Sequence, residues 1–204
     1  MQLAHIAYFL IPSYTSTAIA SVKQCLFYDP DSRPCAKVHK LLRKLDKETT
    51  KARNYIEGGE WRRALAVLQG DGGLIAQLDD ALESATAGAT PLIPKQFNAR
   101  KKSPARLELY ALACKASIQL GEMSKTKGAK WCEAVFEMDP EHVDGLTGRG
   151  ERLMKDEAWE EAVRVFEKAF ANGGQSSQEA LNRLQKAQRL LKQSKAKDYY
   201  KVRS

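Results

Sequence analysis

Histidine, cysteine and long apolar runs are all scarce in this sequence. Its three histidines, His5, His39 and His142, stand too far apart for a local metal or proton-relay motif. No apolar run approaches the roughly 18 residues of a membrane span. No stretch alternates with a period of two, so half-buried strands are not expected. Without strands, no glycine-rich phosphate loop can sit at a strand–helix junction. Cys114 has no histidine nearby in sequence to mark it as a nucleophile. Glu157, Glu160 and Glu161 resemble a carboxylate cluster, but on one helix they read most simply as a solvated face. The chain is therefore not read as an enzyme, and no cofactor or metal is expected.

What is present is helical spacing throughout 204 residues, of which 43% are hydrophobic and 28% charged. That balance is a folded composition and not a disordered one. Near the start, Ala18-Ile19-Ala20 resembles a signal-peptidase site. The residues before it carry no Lys or Arg, and Pro12 to Thr17 interrupts the apolar stretch. A helix through Leu10, a turn at Pro12-Ser13 and a second helix over 15–27 are predicted instead. Val38, Leu41, Leu42 and Leu45 line a further helix, begun at Ser32 with Pro34 in its first turn. Gly70-Asp71-Gly72-Gly73 predicts a kink in a helix that resumes over 74–84.

The net charge of +8 is concentrated in two places. Lys95, Arg100, Lys101, Lys102 and Arg106 occur without an intervening acid, and residues 177–204 carry a local excess of six positive charges. A basic stripe can be a nucleic-acid footprint. Here it has no interleaved aromatics and no nucleic-acid motif, so a solvated linker and a solvated helix face are expected, with no specific nucleic acid as partner.

Repeats decide the architecture. The segment from Val143 fits the 34-residue tetratricopeptide pattern, with Leu146, Gly150, Leu153, Ala162, Phe166 and Ala169 at positions 4, 8, 11, 20, 24 and 27. Small residues at 8 and 20 let two antiparallel helices approach, and large ones fill the space between repeats. Pro140 closes a preceding copy whose second helix is predicted over 127–138. Another copy ends at Asp29-Pro30, with Ala18 at 20 and Cys25 at 27. A degenerate one has Ala52, Tyr55 and Ala64 near positions 8, 11 and 20. The predicted fold is all-α, a solenoid of helical hairpins. Repeats occupy 1–86 and 105–176, a flexible insertion spans 87–104, and a capping helix spans 177–197. Ser176 and Glu179 form a capping box at its start.

The end of the sequence, QKAQRLLKQSKAKDYYKV from Gln185 to Val202, resembles the junction into a J domain in endoplasmic-reticulum co-chaperones that fuse tetratricopeptide repeats to a DnaJ module. Asp198-Tyr199-Tyr200-Lys201-Val202 matches the D-Y-Y-x-hydrophobic start of that domain, so 198–204 is read as its truncated opening. The resemblance runs back through the repeats to VKQCLFYDPDSRPC, which has the family's cysteine-flanked repeat ending. No His-Pro-Asp tripeptide, the motif with which a J domain engages its ATPase, occurs in the sequence. Residues beyond about Lys195 are expected to fray.

The resemblance implies a luminal location, unfolded or misfolded protein as clients, and a BiP-type heat-shock ATPase as partner through the J domain. It also implies two disulfides, Cys25–Cys35 and Cys114–Cys132. The residues alone leave four buried thiols of a cytosolic repeat protein open, since cysteine is often a core residue. A cytosolic interaction scaffold is the alternative function. A carboxylate clamp for acidic tails needs cationic groove residues, whereas the groove positions of the best repeat are Asp144, Thr147, Gly148 and Glu151.

Overall fold

A computed structural model describes residues 1–69, 72–121, 127–173 and 178–203, and every regular element among them is a helix. The chain divides into two compact units, Met1–Ala116 and Ser117–Ser204.

In the first unit α1 (Gln2–Leu10) and α2 (Thr15–Tyr28) form a helix pair. Ile11 is extended because proline follows it, and Ser13 takes φ 64° to reverse the chain. Ala18 and Val22 bury the inner face of α2. The helix ends at Asp29, whose N–H bonds the Cys25 carbonyl while its own carbonyl accepts from Ser32 N–H. α3 (Arg33–Glu57) then runs for 25 residues, about 37 Å. Its Cys35, Leu42, Leu45, Ala52 and Ile56 recur on one buried face, and no Gly or Pro interrupts it after Pro34. α2 packs along it, as do α4 (Trp61–Gln69) and α5 (Leu74–Thr86). Gly59 turns α3 into α4 at φ 70°, a conformation that suits glycine.

The glycine run gives two helices where sequence predicts one kinked helix. α4 stops at Gln69, Gly72 adopts φ 66°, and α5 begins at Leu74 and packs on α3 as well as on α4. Gly70 and Asp71 lie outside the described residues.

Residues 87–104, expected as a flexible loop, are threaded into the unit. Ile93 is fully buried and its N–H bonds the Ala85 carbonyl at the end of α5. A 3-10 turn at Lys95–Phe97 and a short α6 (Ala99–Lys102) follow, and α6 rests on α5 and α1. Ser103 fixes the exit. Its hydroxyl donates to the Phe9 carbonyl at 2.7 Å and accepts from Arg106 N–H at 3.2 Å, capping α7 (Pro104–Gln119). Three buried residues, Ile93, Ala99 and Ser103, therefore anchor a segment whose other residues are half-buried or exposed.

The second unit holds α8 (Lys127–Met138), α9 (Val143–Lys155), α10 (Trp159–Asn172) and α11 (Gln178–Arg203), each packed on the next. Asp139-Pro140 repeats the turn at Asp29-Pro30: Asp139 N–H bonds Val135 C=O, and His142 N–H bonds Asp139 C=O. Gly150 faces Phe166 so closely that a Cβ there would lie 2.6 Å from the ring. Met154, Ala162, Phe166, Leu184 and Ala187 form the core, with Leu153, Trp159, Val163 and Leu190 packed against it. Ala169 is fully buried in α10.

α11 is continuous to Arg203, where sequence expects fraying after about Lys195. No Gly or Pro interrupts 178–203, and the run is rich in Ala, Lys, Gln and Leu, which favour helix. The first residue of the capping box, Ser176, lies outside the described residues. Glu179 receives Arg183 at 2.7 Å.

Candidate protein-binding groove

A hollow of the first unit opens between α3 and α5. Its volume is about 470 Å³. Val38 and Leu41 come from successive turns of α3, and Ala81 and Ala85 from one face of α5. Leu92, carried by the threaded segment, completes an apolar floor. The rim is polar: Lys37 and Asp80 have opposite charges, with Gln77 and Ser84 between them in chemistry. His5 closes one edge, its Nδ1 3.0 Å from the Met1 carbonyl. Apolar side chains could be held on such a floor, while the rim's amide and hydroxyl groups could bond an extended backbone.

A polar lock links α5 to α7. Arg106 Nε bonds Asp79 Oδ1 at 2.7 Å, the Tyr110 hydroxyl donates to Asp79 Oδ2 at 2.6 Å, and Arg106 Nη2 reaches the same hydroxyl at 2.7 Å. The guanidinium also lies 4.2 Å from the Tyr110 ring centre. Burial, reinforced by Asp79, pushes the Tyr110 phenol up to about 12. Burial alone would lower Arg106, but the hydrogen bond and charge of Asp79 hold it above its ordinary value. Thus α7 is tied to the α5 that forms one groove wall. Of the basic run, Arg106 is taken up by this lock and Arg100 stands 3.4 Å from Glu83, while Lys95, Lys101 and Lys102 are exposed.

The structure separates the residues that sequence singles out. Ala18 and Ala64 are buried at helix contacts of the first unit. Gly150, Leu153, Ala162, Phe166 and Ala169 are brought together in the second. Cys25 and Cys35 join α2 to α3 as a disulfide with Cα atoms 6.3 Å apart. Cys114 and Cys132 are buried and also disulfide-bonded, so the described residues hold no free thiol. Tyr199 is exposed on α11. The side chains of Asp198 and Tyr200 lie outside the described residues. Of the clamp positions, Gly148 is buried and Glu151 pairs with Arg183. Glu160 pairs with Lys195 at 2.7 Å, which lowers its carboxyl below the usual range.

Sequence reasoning missed the groove because it depends on α5 turning back onto α3 and on Leu92. It also missed Ser103. The Ser-Pro pair, a helix N-cap followed by proline at the first helical position, was the available signal.

No protein-family model matches the sequence. The chain is 52% identical over 205 residues to the "Tetratricopeptide repeat and J domain-containing co-chaperone DNJ1" of Cryptococcus neoformans var. grubii, covering 99% of this chain and 38% of the relative. The namesake from Mycosarcoma maydis is 33% identical across 98% of this chain and 37% of its own length. The chain is homologous to the repeat part of these co-chaperones. It also resembles the human "DnaJ homolog subfamily C member 3", at 25% identity over 91% of this chain and 31% of that protein. A crystal structure of the P58(IPK) TPR domain overlays with a TM-score of 0.58 at 22% identity, covering 88% of this chain and 43% of that one. That likeness shows the tetratricopeptide fold. The chain spans less than two fifths of the length of the curated relatives it matches.

Proposed function

We propose that this chain is a polypeptide-binding repeat module of a DnaJ-type co-chaperone, acting in the endoplasmic-reticulum lumen on unfolded or misfolded clients. Its partner would be a BiP-type heat-shock ATPase, engaged through a J domain. The observation that carries this reading is an apolar floor with a mixed polar rim, in a chain homologous to co-chaperones. An unfolded segment exposes both apolar side chains and unpaired backbone groups, and such a groove meets both needs. The oxidised cysteine pairs support the luminal part, because disulfides persist in oxidising compartments.

The test is light scattering from a reduced, aggregating client mixed with this chain. The wild type should delay aggregation at equimolar amounts. Leu41→Asp, which places a charge on the half-buried groove floor, should lose most of that effect while keeping its helical spectrum. Equal protection by both would remove the groove from the mechanism. Because these 204 residues contain no His-Pro-Asp, they should not accelerate single-turnover ATP hydrolysis by BiP.

A further inference from the structure

A second, smaller cavity of about 230 Å³ lies in the first unit, lined from α1, the start of α2, α3, α5 and α7. Its chemistry is unlike that of the groove. Tyr8 lines it from α1 with only 4% of its surface exposed, yet no described residue hydrogen-bonds its hydroxyl. Asp46, half-buried on α3, also lines it and pairs with no cation among the described residues. Glu108 enters from α7. Arg53 approaches only its Oε1, through both Nε and Nη2, and this leaves Oε2 without a donor among the described residues. The Asp46, Arg53 and Glu108 side chains therefore sum to one negative charge, in a chain whose formal charge is +8.

The Tyr8 ring is buried while its hydroxyl, without a protein partner among the described residues, stays open on the cavity and free to accept. The Tyr8 phenol is held above its ordinary pKa, chiefly by burial and then by the Asp46 and Glu108 carboxylates, so it remains a neutral hydroxyl. Its oxygen and two carboxylates present acceptors converging on one small space. A compact cation with several donors satisfies that arrangement, and an alkylammonium has three. A guanidinium could fork onto Asp46 as well, but its planar head is larger and would lie beside the Arg53 guanidinium that already lines this cavity of about 230 Å³.

We propose that this cavity binds a primary alkylammonium group, and that its source is a lysine side chain of a held polypeptide. The polypeptide source rests on the function proposed above; ammonium binding does not. The groove would then supply apolar contact and the cavity a charge preference for lysine-bearing segments.

The test is an NMR titration of the ¹⁵N-labelled 204-residue chain with Nα-acetyl-lysine methylamide, n-butylammonium and Nε-acetylated lysine probe. Both free amines should shift the Tyr8, Asp46, Thr49 and Glu108 amides saturably, and the acetylated probe should not. Asp46→Asn should weaken binding about tenfold and Tyr8→Phe about threefold, with spectra otherwise like wild type. No response to either amine, or an equal response to the acetylated probe, overturns the cavity's assignment while leaving the groove untouched. Tighter binding of the lysine probe than of butylammonium supports the polypeptide source, and equal binding overturns that source.

Discussion

Two hairpins of this chain turn on the same hydrogen bond and then part company. Glu60 N–H bonds Tyr55 C=O at 2.8 Å, and Ala158 N–H bonds Leu153 C=O at 2.9 Å. Gly59 and Glu157 occupy the same left-handed place, at φ 70° and 58°. Beyond the turn, α9 and α10 are 13 and 14 residues long, a near-equal pair closed by Phe166 against Gly150. α3 has 25 residues and α4 only nine. The long helix is covered by α5 and α4 together, with α2 at its other end. The lesson is that repeat register controls the second unit, whereas distant contacts control the first. Its groove is a product of that departure from the repeat.

The largest expected effect lies in the regular unit. Phe166→Ala should cost about 3–5 kcal/mol in chemical denaturation by leaving a cavity beside Gly150, whereas Glu161→Ala should cost under ~0.5. Equal losses would break the register on which the comparison stands. In the irregular unit, reducing Cys25–Cys35 should remove roughly 2–3 kcal/mol by releasing chain entropy in the unfolded state. A Cys25→Ser/Cys35→Ser double variant, compared with wild type in denaturant without reductant, measures it.

Ser103→Ala should cost about 2 kcal/mol, since it removes the α7 cap and leaves the Phe9 carbonyl unbonded. Unchanged stability would mean that the threaded segment is not held as described. The alkaline limb sharpens the same point. Tyr110 has its folded-state pKa raised to about 12 from an ordinary 10. Its neutral form therefore contributes stability that is complete below pH 10 and is lost as pH rises through about 12. Relative to Tyr110→Phe, wild type should lose on the order of 2 kcal/mol across that window. A constant difference between the two would disconnect Tyr110 from Asp79. The smallest effect is a gain: Glu157→Gly should stabilise the second unit by up to about 1 kcal/mol, because glycine tolerates the left-handed turn.

The degree to which each unit can be read from sequence follows the same division. Leu146, Gly150, Ala162 and Phe166 are legible because each contacts a neighbour at a fixed repeat spacing. The Asp29-Pro30 and Asp139-Pro140 turns are legible because proline restricts the residue before it. Ile93 and Ser103 were not, since their partners, Ala85 and Phe9, follow no period. Charge pattern was equally silent on Arg106, which reads as one more cation of a basic run until Asp79 and Tyr110 surround it. Tyr8, Asp46 and Glu108 come from three helices, and nothing in their spacing announces a shared cavity.

Site-specific photocrosslinking to an unfolded client tests the central claim most directly. A benzoylphenylalanine is placed either at Ser84, on the rim of the groove, or at Thr147, a half-buried position on α9 of the regular hairpin. The account predicts client adducts from position 84 and few or none from position 147. Equal adducts from both positions, or adducts from 147 alone, would contradict it.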